Sequence, residues 1–271
     1  MKTQAEKAKL FRDLHARNKA FIIPNPWDIG TARLLERMGF QALATTSAGY
    51  AFAVGKQDNT VDRTDVMRHV TDVASATDLP VSADLGNGFG DEPETAAESI
   101  RLAAAAGAVG GSIEDAAVRQ DHPIYDHALA VERVKAAVEA ARSCSFPFTL
   151  TARAENYLHG NYDLKDTIKR LQLFQQAGAD VLYAPGMVKR EDIAAVISSV
   201  DRPINVLMAL PGARFSLEEL SALGVRRVSV GSGLCRAALG AFLRAAREMQ
   251  EQGTFTFAEQ AVSSISSLLE P

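Results

Sequence analysis

The sequence predicts a (β/α)8 TIM barrel occupying residues 1–271 as a single domain, and three observations carry that prediction. A helical stretch, a Gly and a short apolar run recur as "LLERMGFQALATTS", "LAAAAGAVGGSIED", "FQQAGADVLYAPG" and "SALGVRRVSVGSG". In each, Gly39, Gly107, Gly178 or Gly224 fits the left-handed position that closes a helix. The runs show little alternation, as parallel strands buried on both faces require. With "AFIIPN", "LPVSADL", "FTLTARAE" and "PINVLMAL" they make about eight strands in roughly 250 residues, the proportions of a barrel. Finally, polar residues stand where the strands end: Asn25, Ser47, Asp84, Glu114 with Asp115, and Arg153 with Glu155. A closed barrel brings all these ends to one mouth, whereas an open doubly wound sheet gathers only those near its switch point. The barrel therefore explains more of them.

Taken in chain order, "MKTQAEKAKLFRDLHARNKA" reads as an amphipathic N-terminal helix; its charges leave no room for the apolar core of a signal peptide. After the first strand comes "IPNPWDIG", where Trp27 reads as a packed wall of the substrate site and Asp28 as the N-cap of the next helix. "TTSAGY" ends the second strand in small residues. The N–H groups of Ser47, Ala48 and Gly49 there either cradle an anion or allow close helix–strand packing. Asp58 follows on the loop, as a metal ligand or a solvated charge. The third strand runs into "VSADLGNGFG", a lone acid before Gly86, Gly88 and Gly90. A turn accounts for one or two of these glycines, and three in alternation suggest a backbone cleared for a ligand.

Asp84 and Glu114 fall on neighbouring strands, three and four. Two uncompensated carboxylates in one mouth repel each other, and Mg²⁺ binds through few carboxylates while keeping several waters; a metal there answers both facts. Arg153, closing strand five, suits a bidentate grip on a carboxylate or enolate oxygen, or an ion pair with Glu155 or Glu114, or both. His122, His127 and His159 lie on or near loops and read as solvent-facing. The tail "FTFAEQAVSSISSLLEP" spaces Phe257, Ala261, Ile265, Leu268 and Leu269 as a helical stripe with little to cover it. Extra C-terminal helices, one swapped onto a neighbouring subunit, are expected to bury it and make a homodimer or homotetramer.

Composition excludes several classes. A net charge of −4 with no Lys/Arg cluster gives no footprint for nucleic acid. No apolar run approaches the roughly 20 residues that span a bilayer, so no membrane partner is expected. "GNGFG" is neither a dinucleotide fingerprint nor a P-loop. The two cysteines, Cys144 and Cys235, form no metal-type pair, and a reducing cytoplasm is the simplest compartment.

The segments "PNPWDIGTARLLERMGFQALATTSAG", "SADLGNGFG", "GSIED" and "TARAE", in this order and spacing, resemble the isocitrate lyase/phosphoenolpyruvate mutase superfamily along essentially the whole chain. The resemblance implies a barrel with a swapped eighth helix, Mg²⁺ as cofactor, and chemistry on 2-oxo acids or their enolates that breaks or forms C–C or P–C bonds. It also implies roles. Asp84, Glu114 and Asp58 resemble the metal-shell acids, with Glu114 also near the chemistry. Ser47, Ala48 and Gly49 resemble the carboxylate cradle, and Arg153 the arginine that steadies the enolate. Two features depart from the family. Ser82 stands where members commonly carry an Asp, in Ser82-Ala83-Asp84. The loop "AAVRQDHPIYDHAL" lacks the catalytic Cys of the isocitrate and methylisocitrate lyases, and neither Cys144 nor Cys235 is placed to replace it. The resemblance thus implies a Mg²⁺-dependent C–C lyase or decarboxylase for a small 2-oxo or hydroxy dicarboxylate. The alternatives are a P–C bond isomerase, for which Arg119 is the one loop cation, and a metabolite-binding homologue that has lost catalysis.

Overall fold

The computed structural model describes residues 2–117, 121, 123–262 and 264–269. Eight parallel strands alternate with helices: β1 (Phe21–Ile23), β2 (Leu43–Ala44), β3 (Val81–Asp84), β4 (Gly110–Glu114), β5 (Thr149–Arg153), β6 (Val181–Tyr183), β7 (Ile204–Leu207) and β8 (Arg227–Ser229). They pair in the order β1-β8-β7-β6-β5-β4-β3-β2, so only the seam between β1 and β2 lacks a ladder. Two contacts fasten that seam. The Ala44 amide donates to the Pro24 carbonyl at 3.1 Å. Asn25 donates to the Thr45 carbonyl at 3.0 Å and accepts from the Val230 amide at 3.0 Å, tying β1 to the segments after β2 and β8. Asn25 is therefore a staple of a nearly closed barrel. Gly39, Gly107, Gly178 and Gly224 all carry φ between 85° and 102°, the conformation expected of residues that end helices.

The helices are α1 (Gln4–His15), α2 (Ile29–Arg37), α3 (Ser47–Ala53), α4 (Arg63–Ser75), α5 (Pro93–Ala105), α6 (His127–Arg142), α7 (Leu164–Gln176), α8 (Arg190–Ser198), α9 (Leu217–Leu223), α10 (Gly233–Gln252) and α11 (Ile265–Leu269). Asp28 caps α2 through the Thr31 amide. α1 closes the barrel floor: Phe11, fully buried, packs with Phe21, Ala42 and Val109 near strand starts. A side chain at Gly110 would come within 2.7 Å of the Phe11 ring, so glycine at that position lets the helix approach.

α10 leaves the barrel. Of its residues only Cys235 is buried, while Phe242 is 67% and Leu243 50% exposed. The tail differs from the continuous helical stripe expected. Thr256–Gln260 is a short 3-10 turn, and Ala261 is extended at ψ 135°, which breaks the register between Phe257 and Ile265. α11 then packs on α2 of the same chain. Apolar surface is left without cover on α10 and, in the tail, at Phe255, Val262 and Ile265. Among the described residues no helix is long and apolar enough to cross a membrane.

Candidate active site

The register of β3, β4 and β5 decides what meets at the mouth. Asp84 pairs with Ser112 and Glu114 with Arg153, so the last inward-facing residues of three adjacent strands come together. Arg153 lies at the centre. Its guanidinium is 2.9 Å from Asp84 Oδ1, 3.2 Å from Glu114 Oε2 and 2.8 Å from Glu155 Oε1, and it rests on the Tyr183 ring. Ion pairs with Glu155 and Glu114 thus both form, and Arg153 partly compensates the acids whose repulsion argued for a metal.

Compensation is incomplete. Asp58, Asp84, Glu114 and Glu155 share one guanidinium, and each lines a cavity that Arg153 and Ser47 also line. Burial pushes the Glu114 carboxyl well above the usual range; Arg153 opposes the shift while Glu155, Asp84 and Asp115 add to it. Burial works against the Arg153 charge too, but Glu155, Glu114 and Asp84 outweigh it and hold the guanidinium protonated. Asp58 stands at an exposed lip with its carboxyl on the Ser47 side chain; burial of that carboxyl, then Asp84, raises its pKa. The donors are hard oxygens with surplus negative charge, which fits Mg²⁺. Among the described residues no three His, Cys, Asp or Glu side chains already form a cage; Mg²⁺ needs only one or two carboxylates and completes its shell with water.

The expected anion cradle holds an anion of the protein's own. The Ser47 amide donates to Asp84 Oδ2 at 3.0 Å, and the Gly49 amide is capped by Thr46 Oγ1 at 3.2 Å. A Cβ on Gly49 would meet Thr46 Cγ2 at 2.5 Å and Trp27 Cβ at 3.3 Å, so Gly49 serves close packing. Ala48 and Ser47 line the mouth. Trp27 lies behind Gly49 and is absent from the walls of the mouth cavities.

The three glycines after Asp84 answer to packing more than to a ligand. Gly86 and Gly88 have φ of 54° and 81°. A Cβ at Gly88 would stand 3.0 Å from the Ala96 backbone, and one at Gly90 2.9 Å from Thr95; only Gly86 faces Glu114. The turned loop aims its carbonyls at Arg133 of α6, which is 1% exposed and donates to Asn87, Gly90 and Asp91 carbonyls. Its guanidinium lies over Tyr125, whose hydroxyl donates to Asp91 at 2.6 Å and accepts from Asn87 at 3.1 Å. Sequence reading missed Arg133. The signal was its place among Ala130, Val134, Ala137 and Ala141 on one buried face.

Asp115 turns away from the mouth to Arg170, at 3.0 Å, and burial raises its pKa to about 6 against the pull of Arg170. Arg170 also pairs with Asp166, which holds His127 at 2.8 Å, and His127 lines none of the mouth cavities. His159 is exposed yet lines the mouth beside Glu114 and Arg153. His122 and Arg119 lie outside the described residues. Ser82 is buried below Asp84 and lines a lumen cavity of about 170 Å³ with Arg227. Cys144 and Cys235 are free thiols. Cys235 packs against the Gly49 carbonyl and Cys144 against that of Ala140, so neither faces the mouth.

Known proteins resemble this chain along most of its length. Residues 11–250 match the phosphoenolpyruvate phosphomutase family. A crystal structure from Burkholderia cenocepacia J2315, described only provisionally as a lyase/mutase, superposes with a TM-score of 0.97 at 62% identity, covering 99% of this chain and 97% of that one. Among curated proteins, a 2-methylisocitrate lyase of Halalkalibacterium halodurans is 27% identical over 75% of this chain and 68% of its own. An oxaloacetate decarboxylase of Paraburkholderia xenovorans is 29% identical over 76% and 69%.

Proposed function

The chain belongs to the phosphoenolpyruvate mutase/isocitrate lyase superfamily, and from that premise we propose that it is a Mg²⁺-dependent C–C lyase or decarboxylase acting on a small 2-oxo or 2-hydroxy dicarboxylate through an enolate. The observation that supports the reading best is Arg153 in the mouth, bracketed by Asp84 and Glu114 at 2.9 and 3.2 Å. Breaking a bond next to a carbonyl leaves negative charge on oxygen, and fixed positive charge aimed at that oxygen lowers the barrier. Arg153 is the fixed charge. When bound, Mg²⁺ would supply Lewis-acid polarisation of the substrate oxygen. Asp84 and Asp58, with Glu114, would hold it. Burial and the acidic neighbours raise the Glu114 pKa, and it would bind the cation as its carboxylate. Ser47 orients Asp84 through its amide.

A phosphoryl-transfer reading has less support, because a phosphoryl dianion would enter a mouth where four carboxylates face one arginine. Isocitrate-type cleavage is also disfavoured. The loop between β4 and α6 carries no Cys, and loss of a positioned proton donor costs about 10²–10⁴-fold. Decarboxylation or retro-aldol cleavage needs only the enolate stabilised, since solvent can later protonate it. Swapping α10 between subunits would cover Phe242 and Leu243, so a dimer or tetramer belongs to this proposal, as does a cytoplasmic setting for two free thiols.

The test is a set of oxaloacetate, malate and alkyl-substituted malates incubated with the protein and followed by NMR. Formation of a 2-oxo acid with Mg²⁺, lost in EDTA, is expected. No turnover of any member with Mg²⁺ present would overturn the enzyme reading in favour of a binding protein.

A further inference from the structure

The mouth divides into two compartments of unlike chemistry. One, of about 240 Å³, holds Asp58, Glu114, Arg153 and His159. The other, of about 650 Å³, opens between the loops after β2 and β3 and shares Ser47, Asn59 and Asn87 with the first. Its walls are mainly apolar, formed by Val61, Val66, Leu85 and Phe89. Pockets that hold a whole small molecule run about 300–1,000 Å³, so the polar compartment suits a reacting head group and the larger one suits a body attached to it. A four-carbon diacid alone would leave the larger space as water against apolar walls.

The larger compartment is also preformed. Phe89 has φ 68°, a conformation that costs a bulky residue roughly 1–3 kcal/mol and persists only when its surroundings impose it. Arg133 imposes it by holding carbonyls on both sides of Phe89. The charged groups on this wall are Asp62, Asp84, Asp91 and Arg63, of which Asp84 is held by Arg153 and the Ser47 amide. Asp62 caps α4 through the Asp65 amide, and Asp91 accepts from Tyr125. Arg63 is half-buried, and among the described residues its side chain has no hydrogen-bond or ion-pair partner.

We propose that this cleft is a second substrate subsite: it takes the apolar chain of a 2-oxo or 2-hydroxy diacid longer than four carbons, and Arg63 binds the far carboxylate. The proposal rests on the head-group reading above, with the reacting 2-oxo acid end beside Arg153 and Asp84. A guanidinium without a partner gains a charge-assisted hydrogen bond from such an end, which sets diacids apart from monoacids of equal length.

Calorimetry of the Mg²⁺-loaded full-length protein tests it with three kinds of probe: oxalate for the head group alone, 2-oxohexanoate and 2-oxoheptanoate for head and chain, and 2-oxoadipate and 2-oxopimelate for head, chain and far carboxylate. At least one diacid is expected to bind about tenfold or more tightly than its monoacid partner. Arg63→Gln should erase that preference and leave oxalate unchanged. Val61→Trp, which fills the cleft, should weaken every chain-bearing probe and spare oxalate. Oxalate binding without any diacid preference, or a preference that survives Arg63→Gln, overturns the subsite and leaves the head-group reading intact. If oxalate itself does not bind, the head-group reading falls and the subsite falls with it.

Discussion

Replacing Arg153 with Met would expose how the mouth is balanced. The guanidinium touches Asp84, Glu114 and Glu155 at 2.8–3.2 Å, and these side chains are only 19%, 12% and 5% exposed. Removing one partner of a buried pair costs about 3–5 kcal/mol, because the orphaned charge stays buried. Proton uptake relieves part of it, and burial already raises the Glu114 pKa well above the ordinary value. For a chain of this length each kcal/mol moves the melting temperature by about 2–4 °C. In EDTA at pH 7 the variant should therefore melt on the order of 10 °C below wild type.

Added Mg²⁺ should then raise the variant's melting temperature by more than it raises that of wild type. The cation no longer competes with Arg153 for the same oxygens, and a ligand stabilises by about 2.7 kcal/mol when present at 100 times its Kd. Turnover should be lost in the same variant, since the fixed charge facing the enolate is gone. The deficit should narrow as pH falls, because protonation neutralises the orphaned acids. Differential scanning calorimetry in EDTA and in millimolar Mg²⁺ reads both effects. A variant that melts within about 2 °C of wild type in EDTA, or that gains no more than wild type from Mg²⁺, refutes the view that one arginine and one cation share these carboxylates.

Asp84→Ala and Glu114→Ala should each weaken Mg²⁺ binding by about tenfold or more with the fold retained; wild-type affinity in both, by titration calorimetry, would remove them from the metal shell. His69, buried with its Nε2 unpartnered and its ring 4.1 Å from that of Tyr50, is held neutral by burial, its pKa lowered from 6.5 to about 4. Because the unfolded chain takes up a proton below pH 6.5 and the folded one does not, stability falls as pH drops from 6.5 to about 4, by about 3 kcal/mol. Urea unfolding of His69→Phe should show that share of the acid loss removed, while His15, depressed by burial to about 3, still contributes. Phe242→Asp with Leu243→Asp should leave a monomer in light scattering if α10 crosses to a partner; an unchanged mass would place the interface elsewhere.

Much of the barrel was legible because its determinants are local. A Gly past a helix end and an apolar run buried on both faces can each be read without knowing what lies opposite. α3 was not legible: "SAGYAFA" has little helical pattern, and its start is set by Thr46 capping Gly49 across one turn. The tail misled for the converse reason. Spacing suggested one helix through Phe257 and Ile265, but tertiary packing of α11 on α2 splits it. In the site, strand ends announced Asp84, Glu114 and Arg153, whereas their pairing depends on register across three strands. The glycines after Asp84 looked like room for a ligand because their real partner, Arg133, lies about forty residues away on α6, a contact no local pattern encodes.

Ser82 is best understood with the same accounting of charge. In the resemblance drawn from sequence it stands where relatives commonly place a second acid. Here it faces the lumen that Arg227 also lines. Arg227 is held by neutral groups, Asn205 at 2.9 Å and Thr151 at 3.0 Å, with His15 beneath, and burial lowers its pKa to about 10. A carboxylate at position 82 would lie between Arg227 below and the crowded acids above. It would draw towards Arg227 as readily as towards a metal. A hydroxyl leaves the acid surplus where Arg153 and a cation can share it, so the departure at Ser82 is consistent with a metal site held chiefly by Asp84 and its neighbours at the rim, and not from the lumen.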